Sequence, residues 1–281
     1  LLIDKKSFMK NNFLIIFYCS CLLAFGTNCS KDEIQDSELS TIQADNSIPS
    51  QLKSATSIIT FSGYEWSVQD RIASGPGPNN WNPKNVWVDS AGKLHLTITY
   101  NSLTQKWECA EIWSTTAMGF GKYEWFVEGR IDLLDKNVVL GLFNYPTATI
   151  GPDGTNEIDI EYSKWGNDAS NIGNFVIYPA KLIAGYSKWS SSFPASLTGT
   201  YTTQRFTWTS GSVIFQSLHG WTTGNNNLIY SKSYTPSRTK SKSYIPQKSL
   251  PLHMNLWLFR GSAPSNNLPV EVIISKFKKY S

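Results

Sequence analysis

The heptapeptide Asn156-Glu157-Ile158-Asp159-Ile160-Glu161-Tyr162 restricts what this chain can fold into more than any other segment. Its period of two is that of a β-strand, whose successive side chains point to opposite faces. A strand here sets Glu157, Asp159 and Glu161 in one row and buries Ile158, Ile160 and Tyr162 behind them. Three carboxylates side by side repel one another and push at least one pKa up, a poor choice for an ordinary solvated strand. Such a cost points to a use.

Two carboxyl groups at a fixed separation are what hydrolysis of a glycosidic bond requires. At about 3.3 Å per residue, the Cα atoms of Glu157 and Glu161 stand roughly 13 Å apart on a straight strand, too far for cooperation. A strand curving around a cleft leans both side chains inward over Asp159, toward the roughly 5 to 5.5 Å typical of retaining enzymes. On that geometry Glu157 is the nucleophile and Glu161 the general acid and base with a raised pKa. Asp159 holds a proton or hydrogen bond that tunes its neighbour.

The rest of the chain agrees with a strand-built fold. Alternating runs recur between turn residues at Leu94–Thr99, Gly121–Val127, Asn174–Tyr178, Arg205–Trp208, Val213–Phe215 and Val270–Ile274, and no segment reads as a convincing helix. The expectation is an all-β sandwich, with a concave face supplying the curvature the acid row needs. A chain of 281 residues with 41% hydrophobic content can bury one large core. Eleven Trp and thirteen Tyr exceed what such a core usually needs, and flat rings on a β-scaffold can stack sugars.

Residues 1–29 read as a leader and 30–57 as a flexible tether, with the globular domain at 58–281. Lys10 precedes the apolar run Phe13 to Phe25, of signal-peptide length, and Met9 reads as the start. Gly26-Thr27-Asn28-Cys29 resembles a lipoprotein cleavage site with the lipid on Cys29, although Asn28 is unusual there and Cys19 and Cys21 are rivals. Ser30-Lys31-Asp32-Glu33 resembles the acidic signal of Bacteroidetes-type surface lipoproteins. The expectation is therefore a secreted, outer-membrane-anchored monomer. Cys109 is then the one cysteine in the domain, so it has no intrachain disulfide partner and reads as a small core residue. The net charge is +4, and removing residues 1–28, with three Lys and one Asp, leaves +2. No basic domain, zinc spacing or phosphate-cradling Gly loop points to nucleic acid, and His95, His219 and His253 are too scattered to argue for a metal.

Gly154-Thr155-Asn156-Glu157-Ile158-Asp159-Ile160-Glu161 resembles the active-site strand of glycoside hydrolase family 16, the laminarinase, lichenase and xyloglucanase family. Phe61-Ser62-Gly63-Tyr64-Glu65-Trp66 with Asn80-Trp81-Asn82, Val86 to Leu96, Glu111-Ile112-Trp113-Ser114, Gly119 to Glu124, Phe206-Thr207-Trp208 and Asn255-Leu256-Trp257 follow in family order. The resemblance covers roughly residues 58–281. It implies a jelly-roll sandwich of the concanavalin A-like type, and it assigns the nucleophile to Glu157, the assisting acid to Asp159 and the acid/base to Glu161. It implies no organic cofactor and allows a structural calcium, for which no ligand set in the chain argues. One form of the family motif carries an extra residue before the last Glu, making a β-bulge. This chain has the shorter, regular form, which leans toward lichenase-like or xyloglucan-like substrates. Thr202 and Gln204 stand where many members have a His and a Tyr.

Trp113, Trp165 and Trp257 are candidate sugar platforms, with core packing the competing reading for each. Asn255, and then Asn144 and Tyr145 on the preceding strand, are candidate substrate contacts. Lys232, Arg238, Lys240, Lys242 and Lys248 lie along a near-repeated segment, Ser231 to Lys248, that reads as a Lys-guarded edge hairpin or as a basic rim for an anionic glycan. Two functions stay open. One is a retaining endo-hydrolase of a β-linked polysaccharide, with transglycosylation available to the same intermediate. The other is a noncatalytic glycan-binding lipoprotein on the same scaffold.

Overall fold

A computed structural model describes residues 57–281. The leader, the tether up to Thr56 and the lipidation site at Cys29 lie outside the described residues. In chain order the first strands are β1 (Ile58–Phe61), β2 (Tyr64–Val68), β3 (Arg71–Ser74), β4 (Asn79–Trp81), β5 (Val86–Val88), β6 (Leu94–Asn101), β7 (Lys106–Ser114) and β8 (Gly121–Glu128). Then follow β9 (Val138–Asn144), β10 (Glu157–Tyr162), β11 (Gly173–Tyr178), β12 (Trp189–Phe193), β13 (Tyr201–Trp208), β14 (Val213–His219), β15 (Leu228–Tyr234), β16 (Leu252–Leu258) and β17 (Val270–Tyr280). Among the described residues, helix is limited to 3-10 turns and one α-helical turn, Ser241–Tyr244.

The fold is all-β, a jelly-roll sandwich of curved antiparallel sheets. One sheet runs β1-β2-β7-β16-β9-β10-β11-β12. The other runs β5-β6-β17-β8-β13-β14-β15. The β6–β7 hairpin joins them along one edge, and β4 pairs with β7 in parallel, the single such pairing among the described residues. Turn chemistry starts the fold: Ser62 (φ 52°) and Gly63 (φ 82°) form the two-residue left-handed turn that suits the twist of the β1–β2 hairpin.

The core lies between the sheets. Trp66 of β2 meets Phe277 of β17 edge-on at 5.8 Å, and Phe175 of β11 stacks on Phe215 of β14 at 4.7 Å. Ile158, Ile160 and Tyr162 are fully buried in this layer, as the alternation of the heptapeptide requires. Tyr162 crosses it, donating to Gln204 Oε1 at 3.3 Å and lying 2.6 Å from the Ser217 hydroxyl. Cys109 is buried too, and burial pushes its thiol up to about 12. Thr202 and Gln204 are also fully buried, on the sheet opposite β10, and neither lines the cleft of the acid row.

The basic segment begins as β15, which pairs only with β14 and so forms an edge carrying Lys232, and continues through the Ser241–Tyr244 turn. None of its five cations reaches the acid row's cleft. Charged edge strands of this kind discourage pairing with another chain.

Candidate active site

Strand β10 sits in the middle of its sheet, paired with β9 on one side and β11 on the other with no register shift. The regular alternation is therefore preserved, and all three acids face away from the core. Asn156 starts the strand in a left-handed conformation (φ 54°) that Asn tolerates, and its side-chain NH2 donates to Ala180 O at 3.0 Å. Glu157, Asp159 and Glu161 together line a cleft of about 1090 Å³. Asp159 is buried in the floor, and the two glutamates are half-buried.

Strand pairing extends the row sideways. Trp113 of β7, His253 of β16, Phe143 of β9 and Asp159 stand opposite one another in succession. The His253 ring stacks on Trp113 at 6.1 Å and on Phe143 at 5.0 Å, and its Nδ1 lies 2.9 Å from Glu111 Oε1. The next row runs Glu111, Asn255, Gly141, Glu161, Asn174 and Ser192. Gly141 leaves room there: the Asn255 amide oxygen occupies the space a Cβ at 141 would need. Across β11, Tyr178 stands opposite Glu157. Lys188 enters from the β11–β12 connection, its Nζ 3.3 Å from the Tyr178 hydroxyl and 5.3 Å from the ring centre. One arm of the cleft is thus aromatic and the other polar.

The candidate residues divide by parity. Trp113, Tyr145, Trp165, Asn255 and Trp257 all line the cleft. Tyr145 donates its hydroxyl to Asp153 at 2.9 Å, and Trp165 packs against Trp257 at 6.3 Å and Phe259 at 5.6 Å. Trp165 is held in a left-handed conformation (φ 53°), unusual for so large a side chain. Asn144 is a correction. It pairs with Ile158, so it points into the core with it, and its Oδ1 accepts from the Ile158 N–H at 2.9 Å. It holds β9 to β10 and does not line the cleft; the neighbouring Phe143 does instead. Phe143, Tyr178, Lys188 and the Glu111–His253 pair were not singled out by the sequence reading. Tyr178 was open to it, because Asn174, Val176 and Tyr178 alternate on a strand legible in the sequence.

Burial raises all three acids. Glu157 is pushed up to about 8 by burial first, with Glu161 and Asp153 adding, while its hydrogen bond with Asp159 and the charge of Lys188 pull the other way. Glu161 is pushed up to about 7 by burial, with Lys188 opposing. Asp159 is raised by burial first and then by both glutamates, and its carboxyl shares a hydrogen bond with that of Glu157. Lys188 thus favours the charged form of the whole row. Lys188→Met is expected to move both limbs of the pH profile of kcat/KM upward, and Lys188→Arg to restore them. An unmoved profile in Lys188→Met would remove this role.

Among the described residues, no group of three or more His, Cys, Asp and Glu side chains is placed to hold a metal ion. His95 pairs with Asp89 and Glu271, and His253 with Glu111.

No family model matches the chain, and no curated protein matches it. Solved structures do share its fold. The β-glucanase of Bacillus licheniformis superposes with a TM-score of 0.57 at 22% identity, over 82% of this chain and 99% of that one. The laminarinase of Flavobacterium sp. UMI-01 gives 0.57 at 14% identity, over 77% and 93%. An immunostimulatory antigen and pseudo β-1,3-glucanase of Mycobacterium tuberculosis gives 0.56 at 18%, over 76% and 89%. The chain has the jelly-roll architecture of these proteins, with its acid row on the floor of the cleft.

Proposed function

We propose that this protein is a retaining, endo-acting glycoside hydrolase of a β-linked polysaccharide, with a β-glucan the first substrate class to test. The observation that carries the reading is the row itself: three carboxyls on one central strand, lining an open cleft between an aromatic and a polar arm. Glu157 attacks the anomeric carbon while Glu161 gives its proton to the leaving oxygen. Glu161 then takes a proton from the water, or from an acceptor sugar hydroxyl, that displaces Glu157. Asp159, whose carboxyl is raised by burial and by both glutamates, hydrogen-bonds to Glu157 and supports its ionised form. Trp113, Trp257 and Trp165 stack sugar rings, and Asn255 and Tyr145 contact hydroxyls.

Residues 1–33 support a secreted, lipid-anchored form attached through Cys29, acting as a monomer at the cell surface. Among the described residues no helix is long and apolar enough to cross a membrane. A second reading, a noncatalytic glycan binder, draws on the pseudo β-1,3-glucanase that shares the fold and on the upward shift of Glu157, which withholds negative charge from the attacking group near neutral pH.

Release of reducing sugar from a panel of β-glucans, xyloglucan and algal galactans separates the two. Wild type is expected to cleave at least one of them, with Glu157→Ala and Glu161→Ala inactive on it. Equal background from all three proteins with retained glycan binding would establish the binder.

A further inference from the structure

Strand pairing builds a second row on the opposite, convex face of the molecule. Trp87 of β5 stands opposite His95 of β6, His95 opposite Ile273 of β17, Ile273 opposite Glu128 of β8, and Glu128 opposite Tyr201 of β13. At about 4.8 Å per strand the row spans roughly 19 Å. Trp221 adjoins its far end, 4.4 Å from the Tyr201 ring. Trp87 and Trp221, 40% and 44% exposed, are the two exposed tryptophans among the described residues, and they flank the two ends of this row; Tyr201 beside Trp221 is 47% exposed. Two separate tryptophans exposed on one line ask for a ligand, since isolated exposed rings ordinarily scatter.

The charged groups between the rings are paired, with a small acidic excess. Lys93 pairs with Glu128 at 2.8 Å and reaches over the Trp221 ring at 5.9 Å, and His95 bridges Glu271 at 2.8 Å and Asp89 at 3.2 Å while stacking on Trp87 at 4.7 Å. The patch therefore offers apolar ring faces with polar, slightly acidic rims. It complements a neutral, hydroxyl-rich polymer and gives nothing to hold a phosphate backbone or an anionic bilayer.

We propose that this row is a second glycan-binding site, on which a neutral polysaccharide chain lies across the convex sheet, stacked on Trp87 at one end and on Trp221 and Tyr201 at the other, while the cleft on the far face acts on another stretch. The choice of a neutral glycan as occupant rests on the functional reading above.

Native electrophoresis in gels containing soluble β-glucan, with Glu157→Ala as the background to prevent cleavage, tests the site. The Trp87→Leu/Trp221→Leu double variant keeps apolar bulk but loses both flat rings. Its apparent affinity for the polymer is expected to fall roughly tenfold. In the otherwise wild-type protein, the same pair of substitutions should leave turnover of short oligosaccharides unchanged. Thermal melting checks that the variant is folded. If a folded double variant is retarded as strongly as its parent, or if Trp87 and Trp221 instead mediate a dimer seen by sedimentation, the proposal is overturned. If no glycan is cleaved by the wild type but ring-dependent retardation persists, the catalytic reading fails and this site stands.

Discussion

Glu157→Ala is expected to lose at least about a thousand-fold in kcat on any glycan the protein cleaves, because the covalent path is closed and water has no second base on its face. The loss has a signature that simple unfolding lacks. Azide or formate, small enough to occupy the space left by the side chain, should restore turnover of an activated aryl glycoside and give a product of inverted configuration. Glu161→Ala should instead retain cleavage of substrates whose leaving group needs no proton, with the basic limb of its pH profile gone. The same residues set a stability trend. A carboxyl whose folded pKa lies above its unfolded value contributes stability that is full below about pH 4 and is lost as pH rises through the folded value. For Glu161 and Glu157 those values are about 7 and about 8. Glu157→Gln should therefore melt higher than wild type at pH 8, and the gap should close at pH 5. A variant that gained stability only at acid pH would contradict the assignment.

Arg205→Leu should be among the most destabilising single changes away from the cleft, by about 3 to 5 kcal/mol. Arg205 lies fully within the second sheet and donates to Glu124 Oε1 at 3.0 Å, Gln216 Oε1 at 2.8 Å, Thr223 O at 3.2 Å, Gly224 O at 2.6 Å and Asn225 Oδ1 at 2.7 Å. Glu124 is fully buried. Burial alone would raise its carboxyl, yet Lys122, Arg205 and Tyr280 outweigh that and lower it. Removing Arg205 leaves a buried carboxylate with Lys122 as its one cation and frees the 223–225 loop. Urea unfolding measures the loss. Adding Glu124→Gln to Arg205→Leu should recover part of it, because the stranded charge goes too.

The alternating runs legible in the sequence appear as strands, and several extend further than their pattern suggested. β13 begins at Tyr201, four residues before the run that ends at Trp208, because Thr202, Thr203 and Gln204 are polar yet buried. Thr203 donates to Gly220 O and Gln204 accepts from Tyr162, contacts that hydropathy cannot reveal. The acid row was legible because all its members lie in one strand. The Glu111–His253 pair was not, since 142 residues separate the two and only the β7–β16 pairing joins them. Asn144 was misplaced by a single step of strand parity, the smallest error a period of two permits.

The unbroken ladders on both flanks of β10 have a mechanical consequence. The distance between Glu157 and Glu161 belongs to the whole sheet: five residues locked to β9 and β11 can be brought together or apart only by bending all three strands at once. Gly141, beside Glu161, is where the sheet is packed most directly against the Asn255 amide, which fills the space a Cβ would take. A side chain there would push the Asn255 amide aside and shift the separation of Glu157 and Glu161 while leaving both carboxyls in place.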